Sequence, residues 1–140
     1  MNKNRVSDWM TPDPIVVGPK TKLMEAHRLM LDHNIRRLPV VENDQLIGIV
    51  TLGDIREAEP SDATALSIYE LNYLLARLTL DKIMTRNPIT VSPDTPMVDV
   101  ARIMLQHKIG GLPVVADGHL LGIITESDIF RMLVQEAEPA

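Results

Sequence analysis

"GIVTLGDI" at residues 48–55 and "GIITESDI" at residues 122–129 are two versions of one sentence. Each is an apolar, β-branched run that breaks into Thr-x-x-Asp and continues as an apolar helical stretch, so each reads as a strand running into a helix N-terminus. Sliding the chain against itself by 74 residues aligns Val6–Ile55 with Leu80–Ile129 without a gap, and 22 of the 50 pairs are identical. The identities include Met10/Met84, Pro14/Pro88, Met30/Met104, His33/His107 and Gly48/Gly122, and "LPVV" recurs at 38–41 and 112–115. A unit of about 50 residues buries too little surface to be secure alone. The two copies are therefore expected to pack on each other about a pseudo-twofold axis.

Each copy carries the same string of local signals. "PIVV" and "PITV" read as short strands, followed by the turn signals "GPKT" and "SPDT". A helix follows, with Thr21 or Thr95 as its N-cap and Pro96 at the favoured first helical position. Leu23, Ala26 and Met30, and in the second copy Met97, Val100, Ala101 and Met104, recur at helical spacing and mark a buried face. The helices should end near His33 and His107. Two apolar runs separated by "NDQ" or "DGH" then read as a hairpin, and a second helix starts after Thr51 or Thr125. The expected class is α/β (α+β): two βαββα repeats at 6–58 and 80–136 joined by a connecting helix at 59–79.

That connector begins with Pro60, which breaks the preceding helix, and Ser61 or Asp62 can cap a new one. Ile68, Leu71, Leu75 and Leu78 form an apolar stripe that Leu66, Tyr69, Tyr73 and Leu74 widen. Such a stripe suits a helix packed on its own domain, and its breadth also suits part of a dimer interface.

Bulk composition narrows the function. The 140 residues are 45% hydrophobic and 24% charged, as in an ordinary globule. A net charge of −5 gives no basic footprint, so neither DNA nor RNA is expected as a partner. No cysteine is present, which removes disulfide and thiolate chemistry. No signal-peptide or membrane-length apolar run is found, so a soluble cytoplasmic protein with no membrane association is expected. No His/Asp/Glu cluster has metal-ligand spacing, and no G-x-S-x-G, H-E-x-x-H or Walker-type loop occurs, so neither a metal site nor an enzyme is expected.

The duplicated Met-Thr-x-x-Pro, the "LPVV" strand and the Gly-h-h-Thr-x-x-Asp segment together resemble a tandem CBS-domain pair, or Bateman module. "LSIYELNYLLARL" is similar to the connector of stand-alone bacterial CBS proteins of the AcuB-like kind. The resemblance implies a regulatory, ligand-sensing module that requires no cofactor and binds AMP, ADP, ATP or S-adenosylmethionine in clefts between the repeats. It further implies a homodimer and an unidentified regulated protein. Carried over position by position, the ligand-binding residues are Thr51 and Asp54, with Thr125, Ser127 and Asp128 in the second copy. Arg36 and Arg37 stand where family members face phosphate, and Ile15 and Ile89 where the backbone borders adenine. The second copy has Gly110 and Gly111 in place of the two arginines, which predicts unequal clefts.

Each of these residues also has a plainer reading. Thr-x-x-Asp is a capping box that needs no ligand. Arg36–Arg37 suits a solvated turn as well as a phosphate clamp, and His33 and His107 suit a helix C-terminus. The alternative function is a structural or oligomerisation module with vestigial clefts, acting through its connector helix and dimer surface.

Overall fold

The computed structural model describes residues 4–59 and 67–138. Pro60, Ser61, Asp62 and Leu66, to which the sequence assigns the start of the connector, lie outside the described residues. In chain order the elements are α1 (Val6–Trp9), β1 (Thr11–Pro12), α2 (Leu23–His33), β2 (Arg37–Glu42), β3 (Gln45–Thr51), α3 (Leu52–Ala58), α4 (Ile68–Arg77), β4 (Thr85–Arg86), α5 (Met97–His107), β5 (Gly111–Ala116), β6 (His119–Thr125) and α6 (Glu126–Ala137). A 3-10 turn, Leu80–Lys82, precedes β4. The chain divides into two compact units, one spanning Ile15–Asn87 and the other joining the residues up to Pro14 to those from Pro88 onward.

In the Ile15–Asn87 unit the sheet order is β2-β3-β4, all antiparallel. The β2–β3 hairpin turns on Asn43 and Asp44, both with positive φ (52° and 63°). That is the type I′ geometry which matches strand twist and which Asn and Asp tolerate. A bulge between Val40 and Val41 shifts the register. Leu23, Met30, Leu38, Val50, Ile55 and Leu80 are fully or almost fully buried in one core. The chain leaving α4 is tied antiparallel to the start of α2: the Leu23 amide donates to Leu78 O (2.8 Å) and the Leu80 amide to Thr21 O (2.9 Å).

The other unit repeats this plan with order β1-β6-β5. Its hairpin turns on Asp117 and Gly118 (φ 53° and 80°), and its bulge falls at the equivalent Val114/Val115. Val6, Met97, Val100, Leu112, Val114 and Ile124 form its core.

The short strands β1 and β4 explain why Met-Thr and Gly are repeated together. Thr11 and Pro12 pair with Ile123 and Gly122, while Thr85 and Arg86 pair with Ile49 and Gly48. A Cβ on Gly122 would stand 2.6 Å from Thr11 O and 2.9 Å from Met10 Sδ; on Gly48 it would meet Met84 Sδ at 2.7 Å and Thr85 O at 2.9 Å. Glycine is required at both sites so that the backbones can approach. The Met-Thr of each repeat thus packs on the hairpin of the other repeat's sequence, giving each unit one foreign edge strand.

The mixed helix-and-sheet class is as expected, but two local expectations are corrected. "PIVV" and "PITV" do not form ladder strands; each makes a single parallel bridge, Val17 to Val40 and Val91 to Val114. The Val17 amide donates to Pro39 O (3.1 Å) and the Val41 amide to Val17 O (2.8 Å), with the same pattern at Val91. The next rung would need an N–H from Pro39 or Pro113, which proline lacks, so the ladder stops. Nor are Thr21 and Thr95 the helix N-caps. Those positions fall to Lys22 and Pro96, while Thr21 Oγ1 accepts from the Gly18 amide (3.1 Å) and Thr95 Oγ1 from the Ser92 amide (3.0 Å), closing the preceding loop. The helices do end at His33 and His107, each followed by a left-handed residue, Asn34 or Lys108.

The loop before α2 is held by a charged clamp. The Thr79 hydroxyl donates to Asp81 Oδ1, and Lys20 Nζ reaches Asp81 Oδ2 at 2.9 Å. The Thr79 bond first, and Lys20 second, hold the Asp81 carboxyl down to about 2. The α4 helix is capped by Ser67, whose Oγ accepts from the Glu70 amide (3.2 Å). Leu71 and Leu75 are half-buried on it, while Ile68, Tyr69, Tyr73 and Leu74 are exposed.

Candidate functional site at the strand-to-helix edges

The hairpin register brings the predicted residues of the first repeat to one edge. Arg37 opens β2 and stands opposite Thr51, the last residue of β3. Arg36, one residue earlier, accepts the Leu52 amide on its carbonyl at 2.8 Å, tying the start of β2 to the first residue of α3. Arg36, Arg37, Thr51 and Asp54 are therefore gathered where a strand begins, its partner ends and a helix starts. Arg36 is exposed, and Arg37, Thr51 and Asp54 are half-buried. Ile15, half-buried against the same core, lies on the segment that runs parallel to β2. Parallel running directs Ile15 toward the start of β2.

Thr51 and Asp54 form a reciprocal capping box. The Thr51 amide donates to Asp54 Oδ2 (2.8 Å), and the Asp54 amide donates to Thr51 Oγ1 (3.1 Å). Both bonds satisfy backbone donors that a helix start leaves without partners. They use one carboxylate oxygen only; among the described residues no donor reaches Asp54 Oδ1. A carboxylate oxygen of this kind can take hydroxyl donors, and guanidinium groups can take an anion.

The second repeat keeps the scaffold and changes the chemistry. Gly111 stands opposite Thr125, and Gly110 O accepts the Glu126 amide at 3.0 Å, as Arg36 does for Leu52. The Thr125 amide donates to Asp128 Oδ2 (2.8 Å), and here the hydroxyl also turns to it (3.2 Å). Asp128 Oδ1 is taken by Arg131 Nη2, one helical turn on. The Asp128 side chain is only 1% exposed, against 61% for Arg131. Ser127 and Ile89 are exposed.

The sequence reading had not singled out Arg131. Its signal was present, because Asp and Arg at i and i+3 are neighbours on a helix. The aligned residue of the first repeat is Glu57, which cannot make that pair. Trp9 is half-buried against the core of its unit and lines a shallow groove with Phe130, Arg131 and Val134. Among the described residues no group of three His, Asp or Glu is placed to hold a metal ion, and no helix is long and apolar enough to cross a membrane.

Comparison with known proteins identifies the family. A family model for the CBS domain matches residues 6–61 and 80–135. The CBS domain pair of protein MJ0100, solved with 5′-methylthioadenosine and S-adenosyl-L-methionine, is similar at 34% identity and a TM-score of 0.78, covering 94% of this chain and 97% of that one. CBSX2, solved with AMP, is similar at 32% identity and a TM-score of 0.78, covering 96% and 99%. A putative acetoin utilization protein (AcuB) from Vibrio cholerae is similar at 33% identity and a TM-score of 0.77, covering 96% and 98%. The chain spans only 24%, 23% and 46% of the lengths of three curated relatives at 34–36% identity, two of which carry enzyme names. Two family matches, in tandem and over most of the length, place this chain in the CBS domain family as a CBS pair.

Proposed function

We propose that the chain is a regulatory module that senses an adenosine-type ligand, AMP, ADP, ATP or S-adenosylmethionine, and signals its presence to another protein in the cytoplasm. The observation that carries this reading is the meeting of Arg36, Arg37, Thr51 and Asp54 at one edge, with no donor among the described residues on Asp54 Oδ1. Asp54 accepts the ribose hydroxyls, Thr51 stands beside the ribose, Arg36 and Arg37 take phosphate, and the backbone at Ile15 borders the base. Thr125, Ser127, Asp128 and Ile89 form the corresponding set in the second repeat, without the cationic pair. Similar CBS pairs solved with AMP and with 5′-methylthioadenosine and S-adenosyl-L-methionine support the ligand class. A ligand that favours one arrangement of the module shifts its population, and a partner reads that shift.

Thermal denaturation with AMP, ADP, ATP and S-adenosylmethionine tests the reading. A ligand at a hundred times its dissociation constant stabilises the fold by about 2.7 kcal/mol; no shift with any of the four contradicts it. The phosphate clamp predicts that Arg36→Ala and Arg37→Ala weaken AMP more than adenosine, and equal loss removes it. The exposed Ile68, Tyr69, Tyr73 and Leu74 on α4 favour a second reading, in which the module acts by pairing with its own copy. Sedimentation across a concentration series separates the two: self-association lost in Tyr69→Ser/Tyr73→Ser, with no ligand response, supports the second.

A further inference from the structure

We infer that Arg131 is an internal lock on the second repeat, so that the two Thr-x-x-Asp edges fill in a fixed order. The inference rests on the ligand reading above and goes beyond it by assigning the difference between the copies to one side chain. Asp54 and Asp128 are aligned residues in aligned capping boxes, yet among the described residues Asp128 alone of the two has both oxygens engaged. Oδ2 serves the Thr125 amide and hydroxyl, and Oδ1 holds the Arg131 guanidinium. A hydroxyl donor arriving at Asp128 meets a carboxylate only 1% exposed and already bonded to Arg131, whereas among the described residues no donor stands on Asp54 Oδ1. Arg131 is itself largely exposed and projects from the first turns of α6, so it can swing into water without disturbing the core. The edge at Asp54 therefore binds first. The edge at Asp128 binds only at the cost of releasing Arg131.

Repeat symmetry supplies a reciprocal test. Titration calorimetry with AMP, and with 5′-methylthioadenosine to remove any phosphate effect, is run on the full chain and on Asp54→Asn, Arg131→Gln and Glu57→Arg. Asp54→Asn identifies the tight step by removing it. Arg131→Gln is expected to strengthen the remaining step by about tenfold or more, since charge-assisted bonds are of that size. Glu57→Arg places a cation at the aligned position on exposed α3 surface and is expected to weaken the tight step by a similar factor. A gain of affinity in Arg131→Gln cannot come from lost structure. If the tight step is present but Arg131→Gln leaves the other step unchanged or weaker, the lock is overturned and the ligand reading stands. If neither probe binds any of the four proteins, both are overturned.

Discussion

Thr51 and Asp54 satisfy each other across the first turn of α3, amide to carboxylate at 2.8 Å and amide to hydroxyl at 3.1 Å. The hydroxyl accepts from the helix start, whereas among the described residues no donor reaches the second carboxylate oxygen. Thr51→Ala should therefore cost about 1 kcal/mol of unfolding free energy. Thr51→Ser, which keeps the oxygen, should cost a small fraction of that. Urea denaturation of the two variants checks the difference, and equal losses would mean the cap contributes nothing.

Gly48 and Gly122 admit the neighbouring edge strands. Gly122→Ala drives a Cβ to 2.6 Å from the Thr11 carbonyl, and Gly48→Ala to 2.9 Å from that of Thr85. Backbone must shift in both, at about 1–3 kcal/mol as for other overpacked sites. Gly122→Ala should be the worse, and thermal melts that rank it milder, or find no loss, contradict the close approach.

Acid should loosen the Ile15–Asn87 unit through Asp81. The carboxyl is held down to about 2 by the Thr79 hydroxyl and Lys20, below its unfolded value near 4. The unfolded chain therefore binds the proton first as pH falls, so this stabilisation is complete above about pH 4 and is lost between about 4 and 2. Asp81→Asn should flatten that part of the stability curve relative to the parent. A curve of unchanged slope between pH 4 and 2 would show that the clamp does not act.

Much of the architecture was legible because it is written twice. Hairpins, helix ends at His33 and His107, and the gathering of Arg36, Arg37, Thr51 and Asp54 follow from local patterns that a single register then brings together. What was not legible is non-local or subtractive. No pattern around Met10 says that it packs on Gly122, because the partner lies more than a hundred residues away. "PIVV" carries full strand propensity, yet the missing N–H of Pro39, on another segment, ends its ladder after one bridge. Thr21 looks like a cap, but the loop from Gly18 claims its hydroxyl first. Arg131 was visible as a helix neighbour of Asp128; only the burial of that carboxylate gives the pair its meaning.

Binding of an adenosine-type ligand at the first-repeat edge is proposed to run through Asp54. The most direct measurement is the AMP affinity of Asp54→Asn beside the parent chain, with unfolding curves of both. Charge-assisted hydrogen bonds of this kind contribute about 1.5–3 kcal/mol, so the account predicts AMP binding weakened roughly tenfold to a hundredfold in a folded protein. Affinity equal to that of the parent would contradict it and leave Thr51-x-x-Asp54 a helix cap alone.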